Sequence, residues 1–471
     1  MELIQSKKAD INYLAKIIYL NESDFTPHPN ANSLKIVHVG GYNIIVGLDE
    51  QPGLYIYFPA LSQINENLLS YANLYRHINK NSNPTTKPGF FEDNGRVKAI
   101  RLRGIVSEGF LLPVKTLRDF LLTTINVELN EIKSNVEFDS IKHNDKIIWI
   151  CKKYKTKVKN VESKNSSTSA KKIKGCDKID NNQFRFHYTT VQVKKEPWCV
   201  EPDDLIQITS KWHGTSGISA YVLCKKPLNI FKKLGNILLG NSWNNECKYY
   251  DYVYASRTVI KNKYFNKNLN SGYYNTDVWF EADKIVRPHL IKGMTAYYEI
   301  VGYLPNGSYI QNNYDYGCVP PTNGEKYTSE KHFKVRIYRI TLTNVDGIVH
   351  EFSTREVQQW CTLNGLRAVE ELYYGKAVDL YPQLYQTFNG NSDDLLLPEN
   401  WNMLFWEELA NDENFFMECN SPDCNNNVPH EGLVIKKEDM IPRAWKLKTY
   451  AFLNGEQSEL DKGESNIEDE N

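Results

Sequence analysis

Short runs of β-branched and aromatic residues, cut by glycine and proline, recur along this chain without a regular alternation of strand and helix. Leu34-Lys35-Ile36-Val37-His38-Val39, Tyr42-Asn43-Ile44-Ile45-Val46 and Leu54-Tyr55-Ile56-Tyr57-Phe58 are separated by Gly40-Gly41 and by Pro52-Gly53. Strands joined by tight turns pair antiparallel, whereas parallel strands need long crossovers, usually helical. The pattern therefore confines the chain to an α+β class dominated by antiparallel sheet. Val97 to Leu102 and Gly109 to Pro113 add two more strand-like runs. Together these predict an OB-type β-barrel over residues 1–122, a fold often used to hold nucleic acid. Further on, Val335 to Leu342 alternates as a half-buried strand. Glu351 to Cys361 reads as an amphipathic helix capped by Ser353 or Thr354, with Val357, Trp360 and Cys361 on one face.

Composition sets the scale. At 471 residues, 41% hydrophobic and 24% charged, the chain has material for two or three domains with a sizeable core. Collagen-like, wholly disordered and disulfide-framework classes are excluded. Lys+Arg 56 against Asp+Glu 57 leaves a net charge of -1, so any nucleic-acid partner must be met by local charge. Nine cysteines without framework spacing suggest reduced thiols and a cytoplasmic or other reducing intracellular compartment. Cys419 and Cys424 with His430 fall one ligand short of a closed zinc site. The first residues show no signal-peptide core, and no apolar run nears the ~20 residues that span a bilayer. No membrane association is expected.

Residues 123–182 read as a connecting segment. Within it, Lys152 to Lys178 holds ten lysines against only Glu162 and Asp177, a flexible basic linker by composition. Residues 183–452 form the second domain. Residues 453–471, acidic and nearly devoid of apolar side chains, are expected to be a disordered tail.

The chemistry is concentrated in four short stretches. Ile208-Thr209-Ser210-Lys211-Trp212-His213-Gly214-Thr215 delivers a lysine from an apolar strand into a small-residue turn that could let backbone approach a ligand. Tyr297-Tyr298-Glu299-Ile300-Val301-Gly302 carries a carboxylate within an apolar strand, and His430-Glu431-Gly432-Leu433-Val434-Ile435-Lys436 sets another at a strand's head. Ala444-Trp445-Lys446-Leu447-Lys448 puts two lysines on one strand face. Singly, each is an edge charge, a capping acid or a solvated lysine; in this order, coincidence is hard to accept.

This ordered set resembles the covalent nucleotidyltransferases, the polynucleotide ligases and mRNA-capping guanylyltransferases. Lys211-Trp212-His213-Gly214-Thr215 is similar to the RNA ligase 2-like branch, where DNA ligases mostly show Asp in place of His213. Ala255-Ser256-Arg257-Thr258-Val259-Ile260 and Val335-Arg336-Ile337-Tyr338-Arg339-Ile340 resemble two further motifs of that branch. The likeness runs over roughly residues 184 to 452. It implies an ATP-grasp-like nucleotidyltransferase domain of antiparallel sheets with helices. More loosely, His28 to Leu34 and Gly95 to Gly104 resemble the OB domain of nick-sealing RNA ligases.

The resemblance implies that Lys211 attacks ATP to form a lysyl-AMP, that AMP moves to a 5′-phosphate, and that a 3′-OH RNA end completes the join. A free lysine titrates near ~10.4, so a shift of ~3 units toward neutrality costs about 4 kcal/mol. Lys446, Lys448 and a bound Mg or Mn would supply the positive charge that lowers it. By the same resemblance Glu299 meets the ribose and helps hold metal, and Glu431 orients metal-bound water. His213 and Gly214 lie at the nucleotide, Arg257 forks onto a phosphate, and Tyr338 lies against the adenine. Since His213 brings no carboxylate, the metal arrangement of the DNA ligases does not carry over whole. Arg96, Lys98, Arg101 and Arg103, with the linker lysines, are expected to track a phosphate backbone. The expected partner is RNA or a nicked RNA-containing duplex, met by a monomer. The competing readings are a guanylyltransferase using the same lysine, a DNA ligase, and a nucleic-acid-binding relative that has lost catalysis.

Overall fold

The computed structural model describes all residues except 1, 8, 128–131, 157–178, 226–247, 262–275, 385, 389–390 and 464–471. Most of the lysine-rich linker therefore lies outside the described residues.

The N-terminal lobe is built from small antiparallel sheets. A four-stranded sheet runs Gly109–Pro113, Gly53–Pro59, Ala15–Leu20, Glu137–Phe138, and beside it Phe25–Pro27, Leu34–Val39 and Tyr42–Gly47 form a three-stranded sheet. The glycine-split runs thus became strands, but no closed barrel joins them among the described residues. The expected strand from Val97 shortens to Ile100–Leu102, paired only with Ile105–Ser107. Nor does the lobe stop at residue 122. Glu137–Phe138, Ser140–His143, Lys146–Trp149 and Cys151–Lys153, placed by composition in a connecting segment, all pair within it. Phe138 and Ile141 of these strands, and Ile150 between the last two, are fully buried in the lobe's core with Ile17, Phe58 and Leu117.

Two larger sheets make the second lobe. One has the order Val191–Gln192, Arg443–Lys448, Gly432–Lys437, Leu205–Ser210, Glu371–Lys376. The other runs Ile260–Lys261, Lys248–Ser256, Thr215–Lys225, Met294–Gly302, Phe333–Thr343, Val349–Glu351. All pairings are antiparallel except the short contact of Val191–Gln192 with the strand of Trp445. Both faces of Met294–Gly302 are covered, which explains its unbroken burial and why its sequence does not alternate. The helix Thr354–Leu363 forms as expected, and Ser353 and Glu356 close a reciprocal capping box.

The acidic C-terminus departs from the sequence expectation. Tyr450–Lys462 is a helix, opened by the Thr449 hydroxyl accepting from Phe452 N–H and stopped by Gly463 at φ 83°. Its buried residues include Glu456 and Gln457, so composition misled: the polar side chains are held by partners rather than by water. Residues 464–471 lie outside the described residues.

Candidate active site

Strand register assembles the site. Ser210 pairs with Leu433, Gly432 with Lys448, and the Lys211 N–H donates to Gly432 O at 2.8 Å. Lys211, Glu431 and Lys448 therefore emerge at the same end of three adjacent strands. One row along, Thr209, Val434 and Lys446 are aligned, so Lys446 and Lys448 share a face. Gly432 permits the arrangement, with φ 130° and a position where a Cβ would lie 2.0 Å from Leu447 O.

The Lys211 ammonium lies 2.7 Å from Glu431 Oε1, and Lys448 Nζ lies 3.6 Å from the same oxygen. His213 Nδ1 is 3.8 Å from Glu431 Oε2. Glu431 is only 1% exposed, and neither oxygen has a hydrogen-bond partner of good geometry among the described residues. This buried carboxylate is therefore held by the cationic side chains around it.

Lys211, Arg257, Glu299, Tyr338, Lys446 and Lys448 all line one cavity. Glu299, buried on the second large sheet, accepts from Ser216 Oγ at 3.3 Å, and its backbone stands opposite Ser216. Tyr338 is aimed inward by a β-bulge. Tyr297 faces Arg339 and Tyr298 faces Ile337, so Tyr338 is the extra residue and both it and Arg339 reach the cavity. Burial raises the Tyr338 hydroxyl well above its ordinary pKa, keeping it a neutral ring.

Some expected site residues play other parts. His213 stands behind the cavity, edge-on to the rings of Tyr314 and Phe452, with its backbone N–H donating to the Tyr316 hydroxyl at 2.5 Å. Gly214 packs closely on protein: a Cβ there would lie 2.3 Å from Ile300 O and 2.6 Å from Val301 Cγ1. Arg96, expected on a phosphate, has a fully buried side chain paired with Asp461, so it is not available to nucleic acid. Lys98 also meets Asp461, at 3.0 Å. Arg101, exposed, lies 4.8 Å over the Tyr450 ring, and Arg103 is exposed with its carbonyl accepting from Asn30. Cys419, Cys424 and His430 form no metal cluster, since no group of three or more His, Cys, Asp or Glu side chains able to hold a metal occurs among the described residues. Burial depresses His430 to about 4.

The cavity also gathers residues that the motifs did not single out. Lys436 donates to Tyr338 O, and burial lowers its ammonium from the ordinary lysine value to about 8. Arg339 grips Glu351 with two parallel bonds of 2.6 and 2.7 Å. His187 is held far below its usual pKa, first by burial and then by Arg339 and Arg257, so its ring is neutral. Asp10, Tyr13 and Tyr154 of the N-terminal lobe form a further wall, and Glu456 and Leu460 of the C-terminal helix close it. Lys436 and Arg339 lay within quoted motifs. The others carry no local signal.

No family model matches the chain, and no curated protein matches it. Solved structures do: the chain has the fold of an RNA ligase. The likeness is to the Naegleria gruberi RNA ligase, whose apo mutant aligns with a TM-score of 0.52 and 15% identity over 95% of this chain and 98% of that one. A mutant of the same enzyme with ATP and Mn aligns at 0.51 and 16% identity, over 94% and 99%. Both lobes are therefore covered.

Proposed function

We propose that this chain is an ATP-dependent RNA ligase that joins a 3′-OH RNA end to a 5′-phosphate end, serving RNA repair at nicks. The observation that carries the reading is the meeting of Lys211, Glu431 and Lys448 at one strand end, opening into a cavity with Arg257, Glu299, Tyr338 and Lys446. That is the inventory covalent nucleotidyl transfer needs: an amine, cations for a polyphosphate, carboxylates and an aromatic face. ATP and Mn bound to the Naegleria gruberi enzyme support the choice of nucleotide and of a divalent cation.

Lys211 Nζ attacks the α-phosphorus, a P–N bond forms, and the bond to pyrophosphate breaks. Glu431, 2.7 Å away, holds the ammonium in the resting site and is placed to take up its proton. Lys446 and Lys448 neutralise the charge developing on the phosphate oxygens. Arg257 at the cavity mouth, bordering a second groove lined by Lys152, Lys153 and Lys155, is suited to the 5′-phosphate that next receives AMP. Attack by the RNA 3′-OH on the adenylylated phosphate then releases AMP. Glu431 and Glu299 would hold Mg or Mn, a hard cation suited to carboxylate oxygens. When bound, such an ion adds positive charge beside the reacting phosphate. The N-terminal lobe, built from small antiparallel sheets, is assigned to the nucleic acid.

The experiment is incubation with labelled ATP or GTP plus Mg²⁺ or Mn²⁺, followed by a nicked duplex with RNA on the 3′-OH side. Labelling by ATP and sealing of the nick are expected. Labelling by GTP alone would favour the capping reaction, and a preference for DNA at the 3′-OH side would favour a DNA ligase.

A further inference from the structure

The C-terminal helix starts directly after the second motif lysine and returns along the cavity. Its first turn is locked by Thr449, whose hydroxyl donates to His430 O at 2.6 Å while accepting from Phe452 N–H at 3.1 Å. About two turns on, buried Glu456 receives Lys448 Nζ on both oxygens, at 3.0 and 3.2 Å. Lys448 in turn faces the Glu431 oxygen that Lys211 touches. A continuous chain of charges thus runs from Lys211 through Glu431 and Lys448 to Glu456.

Adjacent residues of the same helix grip the other lobe. The Gln457 side-chain amide pairs with Ala99 in both directions, accepting from its N–H at 2.7 Å and donating to its carbonyl at 2.9 Å. Asp461 accepts from Arg96 and from Lys98. Arg96 has no solvent exposure, so leaving its charge unpaired there is costly, and the contact fixes the helix rather than decorating it.

We propose that Glu456 is a positioning residue for Lys448, and that the C-terminal helix makes the placing of this lysine depend on the seating of the N-terminal lobe. The inference rests on the reading of Lys211 as the nucleophile. A lysine side chain has rotamer freedom to lose, and the two carboxylates that hold Lys448, those of Glu431 and Glu456, restrict it. The sign of the effect separates positioning from simple electrostatics. Glu456 lines a cavity meant for a polyanion, so a bland electrostatic role predicts that neutralising it tightens ATP binding and leaves the rate alone. Positioning predicts a slower step, because Lys448 stands next to the attacking amine while Lys446 and Arg257 remain to bind ATP.

The test is single-turnover transfer of labelled AMP to the full-length protein over a range of ATP concentrations, with thermal unfolding as a check on folding. Glu456→Ala is expected to lower the limiting rate roughly tenfold or more, the scale on which misplaced aligning groups are felt, with half-saturating ATP unchanged or lower. Glu456→Gln, which keeps the length and one acceptor oxygen, recovers part of that loss. Asp461→Asn, at the lobe-facing end, lowers the rate in the same direction, whereas Ser458→Ala on the exposed face does not. A wild-type limiting rate in Glu456→Ala, or a loss no larger than the loss of folded protein, would overturn the proposal. Absence of label in the wild type would instead strike at the nucleotidyl-transfer reading itself.

Discussion

At Lys436 the surroundings of a single side chain set a measurable pH dependence. Burial lowers its ammonium to about 8, so the charge is present below that pH and lost above it. A polyanion binds the charged form, and its affinity therefore falls as pH rises through about 8, the opposite of what deprotonating a nucleophile does to the rate. Half-saturating ATP for protein labelling should rise roughly tenfold or more between pH 7 and 9.5, in keeping with one charged contact worth about 1.5–3 kcal/mol. Lys436→Met should show weak ATP binding that is flat across the same range. Equal pH dependence in both proteins would remove Lys436 from the nucleotide site. Lys211, Glu431 and Lys448 stand in motifs that the sequence displays in order, and strand register then brings those motifs to one strand end. His187 and Glu456 were not legible, since neither lies in a quoted motif and the acidic composition around Glu456 reads as a solvated tail.

Among the elements, the strands of the second lobe formed where their runs lie in the sequence. The runs around Lys211, Glu299, Tyr338, Glu431 and Lys446 alternate or bury as strands do, and Ser353 with Glu356 capped the expected helix. The bulge that turns Tyr338 and Arg339 into one cavity could not be read, because it arises from the partner strand's register. The glycine of the lysine motif also changed meaning. Gly214 is needed by the backbone of Ile300, so Gly214→Ala should cost about 1–3 kcal/mol in unfolding free energy, the usual price of overpacking. Denaturant unfolding measures this. A neutral substitution would return Gly214 to a ligand-facing role. The C-terminal helix was hidden by its acids, yet Thr449 and Gly463, its two end signals, stand in plain view.

For the whole molecule, the two lobes meet around the cavity rather than hanging on a linker. The N-terminal lobe supplies Asp10, Tyr13 and Tyr154 to the cavity wall, and Lys152 and Lys155 are exposed beside the groove that opens from Arg257. On the proposed function, phosphate contact would fall to this face, since the Arg96 side chain is buried. Affinity for a nicked duplex should drop by roughly 0.7–0.9 log units per log unit of salt for each phosphate contacted. The double variant Lys152→Ala with Lys155→Ala should lower that slope by about 1.4–1.8, while ATP labelling stays normal. An unchanged slope would take the groove out of the nucleic-acid path. Among the described residues no helix is long and apolar enough to cross a membrane, and seven cysteines are free thiols.

The central claim is that the amine of Lys211 becomes covalently adenylylated, and the most direct measurement is to map the modification after reaction with ATP and a divalent cation. AMP should be found on the peptide bearing Lys211, through a bond stable to base and labile to acid, and should be missing from Lys211→Ala. An equal yield of label in Lys211→Ala, or AMP mapped to another residue, would contradict the account.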